Sequence, residues 1–118
     1  MNRFFDINSE LAQQIVDSVK SVVSFDINFI DRRGIITAST NAERIGDFHE
    51  SGYKTAESGV MGVVSTDDEY RGTKKGINYP IIYDGNVMGV IGITGEPTEV
   101  ERYGFLITKI SEVFIREN

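Results

Sequence analysis

Asp84-Gly85 constrains this chain more than any other pair of residues. It stands between two runs rich in β-branched side chains, 76–83 and 86–94. Asp-Gly tolerates positive φ at both positions, which a two-residue type I′ hairpin turn requires. Strands joined this way are antiparallel neighbours. The second strand carries apolar residues or glycine on both faces (Val87, Met88, Gly89, Val90, Ile91). It is therefore predicted to lie centrally, covered on both sides. Pro80 has no N–H for a ladder, so the first strand is expected to be an edge, or to carry a bulge, at that point.

The rest of the chain fits around this hairpin. Residues 25–31 alternate Phe25, Ile27 and Phe29 with Asp26 and Asn28, the pattern of a half-buried strand. Asp31-Arg32-Arg33-Gly34 reads as a tight turn and 34–39 as the returning strand. Residues 9–23 read as a helix, with Leu11, Ile15, Val19 and Val22 on one face, and Gln13, Gln14, Asp17 and Lys20 on the other. Asn8 or Ser9 caps it. The polar stretch 40–59 suggests a helical turn over 41–45 stopped by Gly46, and a short helix over 49–58 stopped by Gly59. Residues 60–65 read as a strand and 66–75 as a charged loop. The last helix begins at Pro97 as its first residue, or at Thr98 through a capping box with Glu101. Val100, Tyr103, Ile107, Ile110 and Phe114 form its stripe. Leu106, Val113 and Ile115 widen that stripe beyond what one sheet face needs, which suits a partner surface. The predicted order is α-β-β-(α)-β-β-β-α. This is an α+β domain over 1–118, an antiparallel sheet of about five strands flanked by N- and C-terminal helices.

Composition removes several functions. The 118 residues include no cysteine and one histidine, so thiolate metal sites and a cysteine nucleophile have no donors, and a metal site made mainly of imidazole ligands is excluded. Acidic residues outnumber basic ones 18 to 12, for a net charge of −6. The chain has no basic run beyond Arg32-Arg33 and Lys74-Lys75, which argues against direct nucleic-acid contact. Met1 to Asp6 lacks the apolar core of a signal peptide, and no apolar run approaches the ~18 residues of a membrane span. A cytoplasmic chain without metal or cofactor is expected.

Three segments can carry chemistry. Gly89 to Pro97 runs from a strand into a helix, where bare backbone and free N–H groups suit an anion. It lacks the Gly-Lys-Ser/Thr ending of a Walker loop, and the plainer reading is a tight turn under a packed helix. Lys74 to Pro80 joins cations to Asn78, whose amide donates and accepts together, as a hydroxy acid requires. The alternative is a solvated loop feeding a strand. Arg44 to His49 places a carboxylate-forking guanidinium five residues before the only imidazole. A lone histidine is more often structural than catalytic. No Ser-His-Asp spacing marks a nucleophile, so no catalytic residue is assigned.

Five runs together resemble the sugar-diacid recognition domain, the N-terminal part of the carbohydrate diacid regulators. They are Leu11 to Asp17, Asn28 to Ile36, Glu43 to Glu50, Lys75 to Ile81, and Gly89 to Pro97 with Tyr103-Gly104. They occur in the family's order and cover about residues 9–117. Ser51-Gly52 stands where the family usually has Gly-Ala, and Tyr79 where it typically has leucine. The resemblance implies a PAS- or Cache-like fold. It also implies a bacterial transcriptional regulator sensing hydroxylated carboxylates such as glucarate, galactarate or glycerate. Family members continue into a helix-turn-helix domain, which is not expected within this chain. The expected pocket lies between sheet and middle helices. Arg44 and His49 approach one end of the acid, backbone N–H groups at Thr94 and Gly95 hold a carboxylate, and Asn78 reads a hydroxyl. Lys75 adds positive charge, and Gly46, Gly76, Gly92 and Gly95 present bare backbone. The terminal helices are expected to form a homodimer. A scaffold module without ligand, and a small enzyme working through His49, are the alternatives.

Overall fold

The computed structural model describes residues 7–117; the reading of Met1 to Asp6 lies outside them. Helix α1 spans Ser9–Lys20, followed by strands β1 (Asp26–Ile30) and β2 (Ile36–Ser39). A 3-10 turn covers Ala42–Arg44, and α2 covers Glu50–Ser58. Strands β3 (Gly62–Val64), β4 (Gly76–Tyr83) and β5 (Asn86–Thr94) complete the sheet. The chain closes with α3 (Pro97–Val100), a 3-10 turn over Glu101–Tyr103, and α4 (Gly104–Glu117). The five strands are ordered β2-β1-β5-β4-β3, all neighbours antiparallel.

The hairpin turn forms as expected: φ is 54° at Asp84 and 79° at Gly85, the two positive values of a type I′ turn. β5 is the middle strand. Pro80 sits where both sequence arguments apply in part. β3 pairs with β4 only from Gly76 to Asn78, so Pro80 lies past the end of the edge strand. The register shift on β4 falls just beyond it, between Ile81 and Ile82.

One face of the sheet packs on α1 and α4. Ile27, Phe29, Ile77, Ile81, Ile91 and Ile93 meet Ile15, Val16, Val19 and Ile107 there. Full burial of each such side chain contributes about 1.5–3 kcal/mol. The opposite face holds a smaller cluster, Ile30, Ile36 and Val90, with Ala56 of α2 against it. β1 is therefore covered on both sides, not half-buried: Ile27 to Ile30 are all buried.

Several boundaries differ from the sequence reading. α1 ends at Lys20 rather than residue 23, and Val22 turns outward while Val23 takes the buried place. Asn8 is its cap, accepting from the Leu11 N–H at 2.8 Å. The last helix starts at Pro97, and Glu96 precedes it without a side-chain cap bond. The 3-10 turn at 101–103 then shifts the helical phase. Gly104, Ile107, Ser111 and Ile115 are the buried residues of α4, while Tyr103 is exposed.

Candidate functional site

Antiparallel register aligns one row of residues across all five strands. Ser39 pairs with Asn28, Asn28 with Gly92, Gly92 with Asn78, and Asn78 with Gly62. Alternation along each strand puts the whole row on the α2 face. The row contains no apolar side chain, although the next row on the same face begins with Ile36, Ile30 and Val90. Ser39, Asn28 and Asn78 are all buried.

α2 and the loops around it close over this row. His49 caps α2, its Nδ1 accepting from the Gly52 N–H at 3.0 Å. A neutral imidazole that accepts at Nδ1 carries its proton on Nε2. Nε2 lies 3.9 Å from the position a Cβ on Gly92 would occupy, and Asn78 Oδ1 lies 2.8 Å from it. Burial, aided by the nearby Arg44 charge and partly offset by a backbone hydrogen bond, lowers the imidazole pKa from 6.5 to about 4. At neutral pH the ring is thus an uncharged Nε2–H donor.

Ser51, in the first turn of α2, accepts from Asn78 Nδ2 at 2.8 Å and donates to Thr73 Oγ1 at 3.1 Å. Ser39 Oγ donates to Asn28 Oδ1 at 2.6 Å. His49 Nε2, Asn28 Nδ2 and Asn78 Oδ1 make no hydrogen bond among the described residues. Arg44 reaches across from the 3-10 turn and donates to the Gly72 carbonyl at 2.5 Å. This ties the 42–44 segment to the 66–75 loop. Gly72 allows the loop to lie close, since a Cβ there would stand 2.1 Å from the Phe48 carbonyl oxygen.

The structure brings together Asn78 and His49 of the sequence-derived site residues, with the Arg44 charge beside them. The others lie apart from that pair. Gly46 is exposed with φ of 97° and serves the turn after Arg44. Lys75 pairs with Glu96, whose hydrogen bond and charge hold the ammonium above its ordinary range. Gly76 permits strand contact: a Cβ there would stand 1.9 Å from the Ile93 carbonyl oxygen. Thr94 pairs with Gly76 and Asp26 inside the sheet. The Gly95 N–H donates to the Lys75 carbonyl at 3.0 Å, so the sheet already uses the group expected to hold a carboxylate. The sequence reading does not single out Asn28, Ser39, Ser51 or Thr73, which the structure joins to Gly92 and Asn78 by strand pairing and hydrogen bonds. Asn28 carries a usable signal, since it is a polar residue flanked by Ile27 and Phe29 inside β1.

Among the described residues there is no cluster of three potential metal-binding side chains, and no helix is long and apolar enough to cross a membrane.

The family described as "Putative sugar diacid recognition" matches residues 7–118. The uncharacterized protein YsfB of Bacillus subtilis is 38% identical over 110 residues, which is 92% of this chain and 30% of that protein. The carbohydrate diacid regulator of Escherichia coli is 34% identical over 116 residues, 95% of this chain and 30% of that protein. The chain thus spans about 30% of the length of these relatives. Among solved structures, the GAF domain of Acinetobacter phosphoenolpyruvate-protein phosphotransferase superposes with a TM-score of 0.57 at 16% identity, over 94% of this chain and 84% of that one. Free methionine-R-sulfoxide reductase from Neisseria meningitidis gives 0.63 at 13% identity, over 92% and 77%. The sensor domain of the Vibrio cholerae histidine kinase DctB gives 0.57 at 22%, over 80% and 40%. These likenesses are of fold, an α+β architecture of the GAF and PAS-like kind. With the family pattern running through both strands of the central hairpin and through the segment bearing Arg44 and His49, the chain belongs to the sugar diacid recognition family.

Proposed function

We propose that this chain is a ligand-sensing unit that binds a small hydroxylated carboxylate on the α2 face of its sheet. One observation carries the reading: three neighbouring residues, His49, Asn28 and Asn78, each keep a polar atom without a hydrogen-bond partner among the described residues, beside the bare backbone of Gly92. Two are donors and one is an acceptor, which matches a molecule bearing both carboxylate and hydroxyl oxygens. Arg44 supplies the positive charge by exchanging the Gly72 carbonyl for the ligand carboxylate. Charge-assisted hydrogen bonds contribute about 1.5–3 kcal/mol each, so two or three are compatible with micromolar binding after entropic costs.

The Escherichia coli relative is a carbohydrate diacid regulator, and glucarate, galactarate and glycerate are the acids to test. In this reading the chain recognises the acid and makes no nucleic-acid contact of its own, in keeping with its net charge of −6. Copies pair through the terminal helices, where Phe105, Leu106 and Val113 are exposed. His49 binds and does not catalyse. Calorimetry of the folded protein should give saturable heat with at least one of the three acids, and Arg44→Ala should weaken it about tenfold or more. Silence from all three acids removes the sensor reading. Slow consumption of a bound acid, lost in His49→Ala, would instead favour an enzyme.

A further inference from the structure

We infer that Ser51 and Thr73 are positioning residues that fix which end of the Asn78 amide faces the site, and so make a ligand hydroxyl obligatory. The inference rests on the binding face proposed above and names what that face demands.

The argument follows the direction of each hydrogen bond. The Arg71 carbonyl can only accept, and Thr73 Oγ1 donates its single proton there at 3.3 Å. Thr73 Oγ1 is then left to accept, which it does from Ser51 Oγ at 3.1 Å and from the Ser51 N–H at 3.3 Å. Ser51 has now given its only proton to Thr73, so it can only accept from Asn78. The Asn78 amide therefore turns Nδ2 to Ser51, at 2.8 Å, and Oδ1 toward Gly92, 2.8 Å from where a Cβ on that glycine would stand. The carbonyl at the end of the relay sets the polarity of every link. Ser51, Thr73 and Asn78 are each 5% exposed or less, so water competes poorly for these bonds.

The consequence is chemical. At Asn78 the site presents an acceptor, and only a ligand group with a proton to give can satisfy it. A hydroxyl does so; an ether, a ketone or a methylene does not. Without the relay the amide is free to rotate and present either end, and the demand relaxes.

The test compares each acid with its counterpart lacking hydroxyls: glycerate with propionate, and glucarate or galactarate with adipate. Wild type should prefer the hydroxylated acid by roughly tenfold to a hundredfold. Ser51→Ala should shrink that preference several-fold. Thr73→Val, which leaves Ser51 in place but removes its acceptor, should move it in the same direction. A merely structural role would lower both affinities together and leave the ratio unchanged. An unchanged ratio in both variants overturns the inference while leaving the binding face intact. So does a wild type that binds both members of a pair equally. A wild type that binds no acid removes the binding face, and this inference with it. One measurement needs no variant. In NMR of the wild-type protein, the Asn78 side-chain amide protons should exchange slowly and show contacts to Ser51. Fast exchange without such contacts overturns the relay even if every variant fails to fold.

Discussion

The His49 ring meets the α2 N-terminus through Nδ1 and the sheet face through Nε2, which couples its titration to folding. The unfolded chain takes up this proton near pH 6.5 and the folded chain only near pH 4, so acid favours unfolding. The contribution is complete above about pH 6.5 and is lost as pH falls toward 4, with a full size of roughly 3 kcal/mol. Urea unfolding at pH 7 and pH 4.5 should therefore cost wild type about 2 kcal/mol more than His49→Asn. Asparagine keeps an acceptor for the Gly52 N–H but does not titrate. Equal losses would return His49 to an ordinary imidazole. Gly92→Ala makes a second test at this scale. Its methyl group would stand 2.8 Å from Asn78 Oδ1 and 3.2 Å from Ile30 Cδ1, occupying the proposed ligand space. Acid binding should fall at least tenfold while the far-ultraviolet circular dichroism spectrum is retained; unimpaired binding would move the site elsewhere. His49 and Asn78 stood out in the sequence because a lone imidazole and an amide beside cations are conspicuous chemistry. Ser51 and Thr73 did not, since an isolated hydroxyl shows no sign in sequence of what it will face.

β4 links the two faces of the sheet within two residues. Asn78 faces the proposed site, and Tyr79 faces the terminal helices, its Oη 2.5 Å from where a Cβ on Gly104 would stand. That hydroxyl is buried and has no hydrogen-bond partner among the described residues. Burial, with a smaller effect from Glu101, raises its pKa above the ordinary value, so it stays protonated at neutral pH. Tyr79→Phe should hold or raise stability, by up to about 1 kcal/mol, because it deletes an unmatched buried group. Gly104→Ala should cost about 1–3 kcal/mol through overpacking, and less in the Tyr79→Phe background. Urea melts of the two single variants and the double variant measure this coupling, and additive costs would separate the two residues. The same contact explains why the last helix departs from its sequence pattern. Apolar spacing ran unbroken from Val100 through Tyr103 to Phe114, yet the 3-10 turn before Gly104 brings Gly104, Ile107, Ser111 and Ile115 inward. Close approach to Tyr79 sets that phase, and periodicity cannot register a contact with a strand some 25 residues away.

At the scale of the whole molecule the sheet is a partition. One face is sealed by α1 and α4 with aliphatic side chains, and the other carries a polar row beneath α2. Outside the partition, α4 leaves Phe105 77% exposed, with Leu106 and Val113 one heptad apart on a helix face. If copies pair there, Phe105→Glu combined with Leu106→Glu should convert a sedimenting dimer to a folded monomer. A wild-type monomer at tens of micromolar would dispose of the pairing. Local chemistry in the sequence determined the hairpin and its central strand, the turn glycines, the α2 limits from His49 to Gly59 and the antiparallel α+β class. Each of these depends on φ preferences, caps or alternation within about ten residues. The tertiary structure alone decided that Ser39, Asn28, Gly92 and Asn78 form one row, that the Gly95 N–H is taken by Lys75, and that Ser51 orients Asn78. Those facts depend on strand register and loop closure between residues far apart in sequence. A one-residue slip would turn the same side chains to the opposite face.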